Sequence, residues 1–265
     1  MPPRIAIPLP HSTDPEYAER SIPQYEDAVR LAGGEPVRIP LDRTPAEVMK
    51  IVERCDGVLL PGSKADVDPA KFAAPRSPHT AASDPRRDTV DELLLQDAYN
   101  MRKPVLGICY GLQSLNVYRT GSLVQHIPDF LSEDLRTLVD HEAGKNVAVA
   151  HQVRIESDSK LAEIVSGGEL KRHGFADNLV LPVNSSHHQS ADVIGDGLRI
   201  SAHCIDDGIV EALEGTAADH FVLAVQWHPE RSFDRDKPSR AIFRALIKAA
   251  EVRHQQLSGE FESVK

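Results

Sequence analysis

The chain has 265 residues, of which 41% are hydrophobic, 26% charged and 5% aromatic, the balance of an ordinary globular protein. Its 40 acidic and 30 basic residues give a formal net charge of −10, which argues against a nucleic-acid partner because phosphate binding requires clustered lysine and arginine. Without a signal-peptide pattern or a run of ~20 apolar residues, the sequence predicts a cytoplasmic protein that does not cross a membrane.

The first half alternates short apolar strands with helical patterns. Strands are predicted at 4–8, 36–39, 56–60 and 104–108. Helices are predicted over 24–32, over 44–54 and from 84 to shortly before Pro104. The helix that follows Thr44 begins with a capping box, and the one before it ends at Gly33–Gly34. Strand and helix in alternation predict a mostly parallel sheet covered by helices on both faces.

The second half is richer in strand patterns. Strands are predicted at 147–155, 179–183, 198–204, 209–213 and 221–227, which indicates a smaller antiparallel region. A closing helix is predicted over 238–256, followed by a polar tail at about 255–265. Because no linker separates the halves, we predict a three-layer α/β fold with a single domain over 1–265.

The most informative segment surrounds Cys109. An apolar strand runs into G-x-C-x-G, where Gly107 and Gly111 flank the cysteine at two positions on either side, and a helical pattern follows. This is the thiol form of a nucleophile elbow, whose tip is strained and whose neighbours must be small. The helix dipole favours a thiolate there. The alternative is a buried apolar cysteine between packing glycines, like the reduced thiols expected at Cys55 and Cys204.

A base for this thiol is predicted at the end of another apolar strand. The segment Gln226–Glu230 reads QWHPE. If the chain is extended here, His228 and Glu230 share a face. A carboxylate beside an imidazole orients the ring and stabilises its protonated form. The alternative is a strand-end histidine in a surface salt bridge.

Five segments in a fixed order carry a family resemblance. They are Leu60–Pro69, Asp84–Asp88, Val183–Gln189, Asp207–Ala212 and Gln226–Glu230. With G-x-C-x-G, they resemble the γ-glutamyl-γ-aminobutyrate hydrolase group of the class I glutamine amidotransferases, peptidase family C26. The resemblance implies a flavodoxin-like fold. It also implies cysteine-dependent hydrolysis of γ-glutamyl amides through a γ-glutamyl thioester, without a cofactor, with Cys109 as nucleophile, His228 as general base and acid, and Glu230 as third member.

The resemblance also implies roles for other residues. The backbone N–H groups of Ser63 and Tyr110 would form the oxyanion hole. The residues that would line the glutamyl pocket are Gln113, Ser186, His187 and His188. Ser63 replaces a family glycine, so it would be strained if this position requires a positive φ. Tyr110 stands where this group often has arginine. These departures concern the substrate more than the reaction.

Two further assignments concern charge and metal binding. Arg87, next to Arg86, would supply the cation for a substrate α-carboxylate, or else pair with Asp88 or Asp91 on its own helix. His187 and His188 are not expected to bind a metal, because no carboxylate or third ligand has suitable spacing in the sequence. We therefore expect no metal and no cofactor.

Three functions are compatible with these observations. The first is a stand-alone γ-glutamyl hydrolase for a small-molecule substrate such as γ-glutamyl-γ-aminobutyrate, with a homo-oligomeric state left open. The second is a glutaminase subunit that supplies ammonia to a separate synthetase partner. The third is a binding or regulatory homologue that lost turnover. The complete set of Cys109, His228 and Glu230 argues against the third function, and Ser63 is the feature in its favour.

Overall fold

The computed structural model describes residues 1–167 and 179–262. In the first half, strands and helices alternate along the chain, as predicted. The strands are β1 (Arg4–Pro8), β2 (Glu35–Ile39), β3 (Gly57–Leu60) and β4 (Val105–Ile108). The helices are α1 (Pro15–Ala32), α2 (Pro45–Val52), α3 (Pro85–Asn100) and α4 (Tyr110–Tyr118).

The second half adds seven strands and four helices among the described residues. The strands are β5 (Leu123–Val124), β6 (His151–Ile155), β7 (Leu179–Val183), β8 (Ser190–Ala191), β9 (Leu198–Cys204), β10 (Val210–Gly215) and β11 (Val222–Val225). The helices are α5 (Ile127–Phe130), α6 (Glu133–Arg136), α7 (Lys160–Val165) and α8 (Lys237–Glu262). Short 3-10 turns lie at Pro69–Phe72, Ala143–Lys145 and Pro229–Arg231.

Nine of the strands form one sheet in the order β2-β1-β3-β4-β11-β10-β9-β6-β7. The strands from β2 to β11 run parallel, and the remaining neighbours pair antiparallel. Strands β5 and β8 form a separate two-stranded antiparallel sheet. The predicted α/β fold is confirmed, although most of the antiparallel strands extend the main sheet.

The core lies on both faces of this sheet because consecutive residues of a buried strand point to opposite sides. In β1, Ile5 and Ile7 pack with apolar side chains of α1, α7 and α8. Ala6 between them packs on the other face, with side chains of α2, α3 and α4. The two apolar layers complete the three-layer arrangement and hold the carboxyl ends of the parallel strands in place.

The first helix is longer than its sequence pattern predicts. It begins at Pro15 instead of Gln24, and Pro23 lies inside it. Asp14 caps the helix, since its carboxylate accepts a hydrogen bond from the Tyr17 N–H at 2.9 Å. The buried Ile22 on the same face packs in the core. This packing outweighs the hydrogen bond that proline cannot make.

Two other boundaries differ from the prediction. Strand β6 begins at His151 instead of Val147. Helix α8 continues to Glu262, beyond the predicted end at Gln256, while residues 263–265 of the predicted polar tail lie outside the described residues. None of the helices in the described ranges combines the length and the apolar character that a membrane crossing requires.

Candidate active site

The candidate site lies where three neighbouring parallel strands end. Strands β3, β4 and β11 are adjacent in the sheet, and their carboxyl ends lead into Gly62, Cys109 and His228. Ile108 is paired with Val225, and the Cys109 N–H donates to the Val225 carbonyl at 2.8 Å. This edge of a parallel sheet is the usual place for a ligand site in α/β folds.

The backbone at Cys109 is strained, as the elbow pattern predicts. Its φ of 53° and ψ of −106° are unusual for a residue with a side chain. The tight turn depends on both flanking glycines. A Cβ on Gly107 would lie 2.8 Å from the Gly111 carbonyl oxygen, and a Cβ on Gly111 would lie 2.2 Å from the Leu60 carbonyl oxygen. The buried thiol therefore sits at the N-terminus of α4, at a sharp bend.

His228 and Glu230 are in contact, but not by the predicted geometry. The Nδ1 atom of His228 lies 2.7 Å from the Glu230 Oε1 atom, and both side chains are buried. Strand β11 has already ended at Val225, and a 3-10 turn carries Glu230. The expectation of an extended chain is thus wrong, because the proline in His-Pro-Glu begins this turn, which brings the two side chains together instead.

The backbone of His228 is held by a neighbouring loop. The side-chain amide of Asn184 donates to the His228 carbonyl at 2.9 Å, and its oxygen accepts from the His228 N–H at 2.9 Å. Both groups are buried. This two-sided contact restricts the backbone that carries the imidazole. The sequence interpretation included Asn184 in a motif but gave it no role.

The space around Gly62 shows that the thiol and the imidazole meet. A Cβ on Gly62 would lie 3.1 Å from His228 Cε1 and 3.6 Å from Cys109 Cβ. A hydrogen bond also joins Cys109 and His228. The Tyr25 hydroxyl accepts from the Gly62 N–H at 3.1 Å, so Tyr25 supports the loop from below. Only a glycine fits between these groups without displacing one of them.

The charges at the site favour a protonated imidazole. Burial acts to lower the pKa of His228, but the carboxylate of Glu230 and the thiolate of Cys109 outweigh it and raise the pKa to about 9. For Glu230, burial acts in the opposite sense, yet the His228 charge and hydrogen bond hold its pKa below the usual value. At neutral pH the imidazolium is therefore the favoured form, which can donate a proton.

The two residues expected at an oxyanion hole lie on either side of this group in the chain. Ser63 follows Gly62 and is not among the described non-glycine residues with positive φ, so it does not carry the strain expected for a glycine position. Tyr110 is the first residue of α4, where backbone N–H groups have no intrahelical acceptor. Its buried hydroxyl donates to the Asp88 carboxylate.

Arg87 is turned into the protein. Its side chain is fully buried, with Nε 2.7 Å from the Asp91 carboxylate. Its other nitrogens donate to the carbonyls of Pro10 at 3.1 Å and Pro61 at 2.7 Å. Because each of these donors already has an acceptor, the geometry favours the internal pairing with Asp91 over contact with a substrate carboxylate. In this position Arg87 supports the start of the loop that contains Gly62.

The residues expected in the glutamyl pocket point in different directions. Gln113 is buried, and its amide donates to the Gln189 carbonyl at 3.2 Å. Ser186 is half-buried. The partly exposed ring of His188 lies 3.1 Å from the Asp66 carboxylate, which follows the Gly62 loop. His187 is turned away into a buried polar cluster.

This buried cluster is the main feature that sequence interpretation missed. His187 meets Glu211, and His141 and His151 approach the same carboxylate from other parts of the chain. The spacing argument against a metal at His187 was therefore wrong, because the additional ligand groups come from distant segments. One signal was present in the sequence: Glu211 interrupts the otherwise apolar strand Val210–Gly215.

Comparison with known proteins agrees with this architecture. The family model of Peptidase C26 matches residues 7–230. A glutamine amidotransferase-like protein of Rickettsia prowazekii is 32% identical, covering 89% of this chain and 90% of its own. The γ-glutamyl-γ-aminobutyrate hydrolase PuuD of Escherichia coli is 32% identical, with coverage of 86% and 85%. A crystal structure of a GMP synthase subunit from Thermoplasma acidophilum has a TM-score of 0.63 at 14% identity, covers 97% and 98%, and shows the shared fold.

Proposed function

Because the chain belongs to the Peptidase C26 family, we propose that it hydrolyses the side-chain amide of small γ-glutamyl compounds, such as γ-glutamyl-γ-aminobutyrate. A relative that is 32% identical over most of both chains carries that activity in its name, which supports the substrate class. The proposal depends on one observation. A strained cysteine shares a hydrogen bond with an imidazole whose other side faces a carboxylate at 2.7 Å.

The first half of the proposed reaction forms a thioester. The thiolate of Cys109 attacks the γ-carbonyl carbon, and the backbone N–H groups of Ser63 and Tyr110 stabilise the resulting oxyanion. His228 gives its proton to the nitrogen of the leaving amine as the C–N bond breaks. Glu230 keeps the ring oriented and favours its charged form, in agreement with a His228 pKa of about 9.

The second half of the reaction releases glutamate. Neutral His228 takes a proton from a water molecule, which attacks the thioester carbon. The oxyanion forms again and collapses, the C–S bond breaks, and Cys109 leaves as a thiolate. The proton taken from water remains on His228, so the ion pair is restored. No redox step occurs, and the atoms of water appear in the glutamate carboxylate and in the released amine.

The proposal treats residues 1–265 as one hydrolase domain that works without a synthetase. One nine-stranded sheet includes strands from both halves, which supports this division. The glutaminase alternative differs in its requirement for a partner. Efficient turnover of γ-glutamyl-amines by the purified chain, with little glutaminase activity, supports the hydrolase. Glutamine hydrolysis that appears only when a partner protein is added contradicts it.

The experiment is a substrate panel with wild type and two cysteine variants. The panel contains γ-glutamyl-γ-aminobutyrate, other γ-glutamyl-amines, folate polyglutamates and glutamine, with glutamate or amine release as the readout. We expect Cys109→Ala to abolish turnover while circular dichroism remains unchanged. Cys55→Ala is the matched control, because Cys55 is a buried thiol in the core on one sheet face. Retained activity in Cys109→Ala would refute the mechanism.

A labelling experiment separates an enzyme from a binding homologue. A glutamine-like diazo-ketone should form one covalent adduct at Cys109 in the wild-type protein, detected by mass spectrometry of peptides. The Glu230→Gln variant should label more slowly, because its imidazole no longer favours the thiolate. An intact protein that binds γ-glutamyl compounds but forms no adduct supports the binding homologue.

A further inference from the structure

Four buried side chains meet outside the proposed triad, and we refer to them as the His–Glu cluster. They are His141, His151, His187 and Glu211. His141 precedes the turn at Ala143–Lys145, His151 begins β6, His187 follows β7, and Glu211 lies in β10. One potential ligand atom from each side chain lies within 4.8 Å of all the others. The cluster therefore joins four segments that are distant in the chain.

The three imidazoles converge on a single oxygen. From Glu211 Oε1, the nearest ring nitrogens are His141 Nδ1 at 3.1 Å, His151 Nε2 at 3.1 Å and His187 Nε2 at 3.2 Å. Only the His187 contact has hydrogen-bond geometry, and the other two nitrogens are buried without a hydrogen-bond partner. Buried polar atoms normally have a partner. Two unpartnered nitrogens aimed at one carboxylate indicate that a group between them completes the site.

The outer nitrogens show which atoms are free to bind a cation. His141 Nε2 lies 2.8 Å from the Asp207 carboxylate, and His187 Nδ1 lies 2.9 Å from the Gln189 carbonyl. Each of these oxygens accepts a hydrogen bond, so the proton of a neutral ring belongs on the outer nitrogen. The inner nitrogens then present lone pairs toward Glu211. Outer carboxylate or carbonyl partners of this kind are typical of metal-binding histidines.

We propose that the His–Glu cluster binds one divalent transition-metal ion, with Zn²⁺ as the ion that its ligands fit best. Three imidazoles and a carboxylate are a usual ligand set for zinc. In a tetrahedral site with bonds of about 2.0 Å, neighbouring ligand atoms are about 3.3 Å apart. The distances of 3.1–3.2 Å around Glu211 are close to this value. With neutral histidines, the two charges of the ion balance Glu211 and Asp207.

The metal-free alternative is an ion cluster in which histidines carry the positive charge. Burial acts to lower the pKa of His141 and His151, but hydrogen-bonding neighbours outweigh it and raise both to about 9. That arrangement would neutralise the same carboxylates. It nevertheless leaves His141 Nδ1 and His151 Nε2 without hydrogen-bond partners, which a central ion would supply.

The bound ion would hold the loop that positions His228. Ser185 donates to Glu211 Oε2 at 3.2 Å, and Asn184 beside it holds both backbone groups of His228. The ion would thus fix the segment from Asn184 to His187 against β6 and β10. This effect on turnover rests on the proposed function, whereas metal binding itself does not.

Metal content of the purified full-length protein is the direct test. We expect about one zinc per chain by elemental analysis, or after addition of Zn²⁺ to chelator-treated protein. Zinc should raise the Tm of the stripped protein by about 5–10 °C, since an ion that binds only the folded state stabilises it. The variants Glu211→Gln and His151→Gln should each lose the stoichiometric zinc and the Tm increase.

The matched control is His79→Gln. His79, His126 and Asp129 form a second, more exposed group of potential ligands, so a surface contribution to zinc binding would appear in this variant. We expect its zinc content to equal that of wild type. If His79→Gln loses the zinc and the cluster variants keep it, the assignment is wrong.

A measurement on the wild-type chain keeps the test valid if a cluster variant does not fold. Co²⁺ added to the stripped protein should produce the intense visible bands of a four-coordinate site, and Zn²⁺ should remove them. Wild-type protein that neither contains zinc, nor gains thermal stability from it, nor shows these bands overturns the proposal. Protein that binds zinc but does not hydrolyse γ-glutamyl compounds would refute only the proposed function.

Discussion

Replacing Glu230 with glutamine removes one negative charge beside His228 while its size is kept. The Glu230 Oε1 atom lies 2.7 Å from His228 Nδ1, in a buried pair. The pKa of His228 is about 9, against 6.5 for a free imidazole. At about 1.4 kcal/mol for each pKa unit, this difference corresponds to about 3 kcal/mol in favour of the imidazolium. Among the groups that raise this pKa, Glu230 contributes most.

The Glu230→Gln variant should therefore lose most of this stabilisation. A loss of about 3 kcal/mol corresponds to a decrease of about 100-fold in kcat/KM at neutral pH. The sign of the pH effect follows from the raised pKa. Wild-type His228 keeps its proton until the pH rises through about 9, so activity should decline there. Without Glu230, burial lowers the pKa, and the decline should move to lower pH.

The assay is glutamate release from a γ-glutamyl-amine over the pH range in which the protein remains folded. Glu214→Gln is the matched control, because Glu214 is an equally buried carboxylate whose partner is Arg199 at 2.8 Å. This control should keep the wild-type pH profile. If Glu230→Gln retains nearly full kcat/KM and its alkaline decline does not move, the role assigned to Glu230 is refuted.

Two further substitutions test how the site is built. Gly62→Ala places a methyl group 3.1 Å from His228 Cε1 and 3.6 Å from Cys109 Cβ; we expect kcat/KM to fall more than about tenfold with a small change in Tm, and unchanged activity would contradict the close contact. Asn184→Ala leaves both buried backbone groups of His228 unpaired. It should reduce the free energy of unfolding by about 2–4 kcal/mol in urea denaturation, and a stability equal to wild type would exclude this anchoring role.

Local sequence patterns determined much of the fold and the position of the nucleophile. Strands at Arg4–Pro8, Leu179–Val183 and Leu198–Cys204 have the predicted boundaries, because runs of apolar residues between turn residues are a local signal. The turn at Cys109 was also predictable. A strand, two glycines at fixed spacing and a following helix leave few ways to close the chain, and the observed φ of 53° agrees with that pattern.

Patterns of adjacent residues were less reliable where contacts decide the structure. Helix α1 begins nine residues before its predicted start, because Asp14 caps it and core packing accommodates Pro23. The pairing of His228 with Glu230 was expected from an extended chain, yet a 3-10 turn produces it. Arg87 could be assigned to substrate or to Asp91 from sequence. Its complete burial favours Asp91, and only packing supplies that information.

The sequence by itself determined the alternating α/β order, the strained cysteine turn and the candidate triad, since each is a property of short segments. Only the tertiary structure brought His141, His151, His187 and Glu211 to one point, from segments up to 70 residues apart in the chain. Such a cluster has no local spacing pattern. It exists because β6 and β10 lie in one sheet, on either side of β9, while the loops around them fold over the same edge.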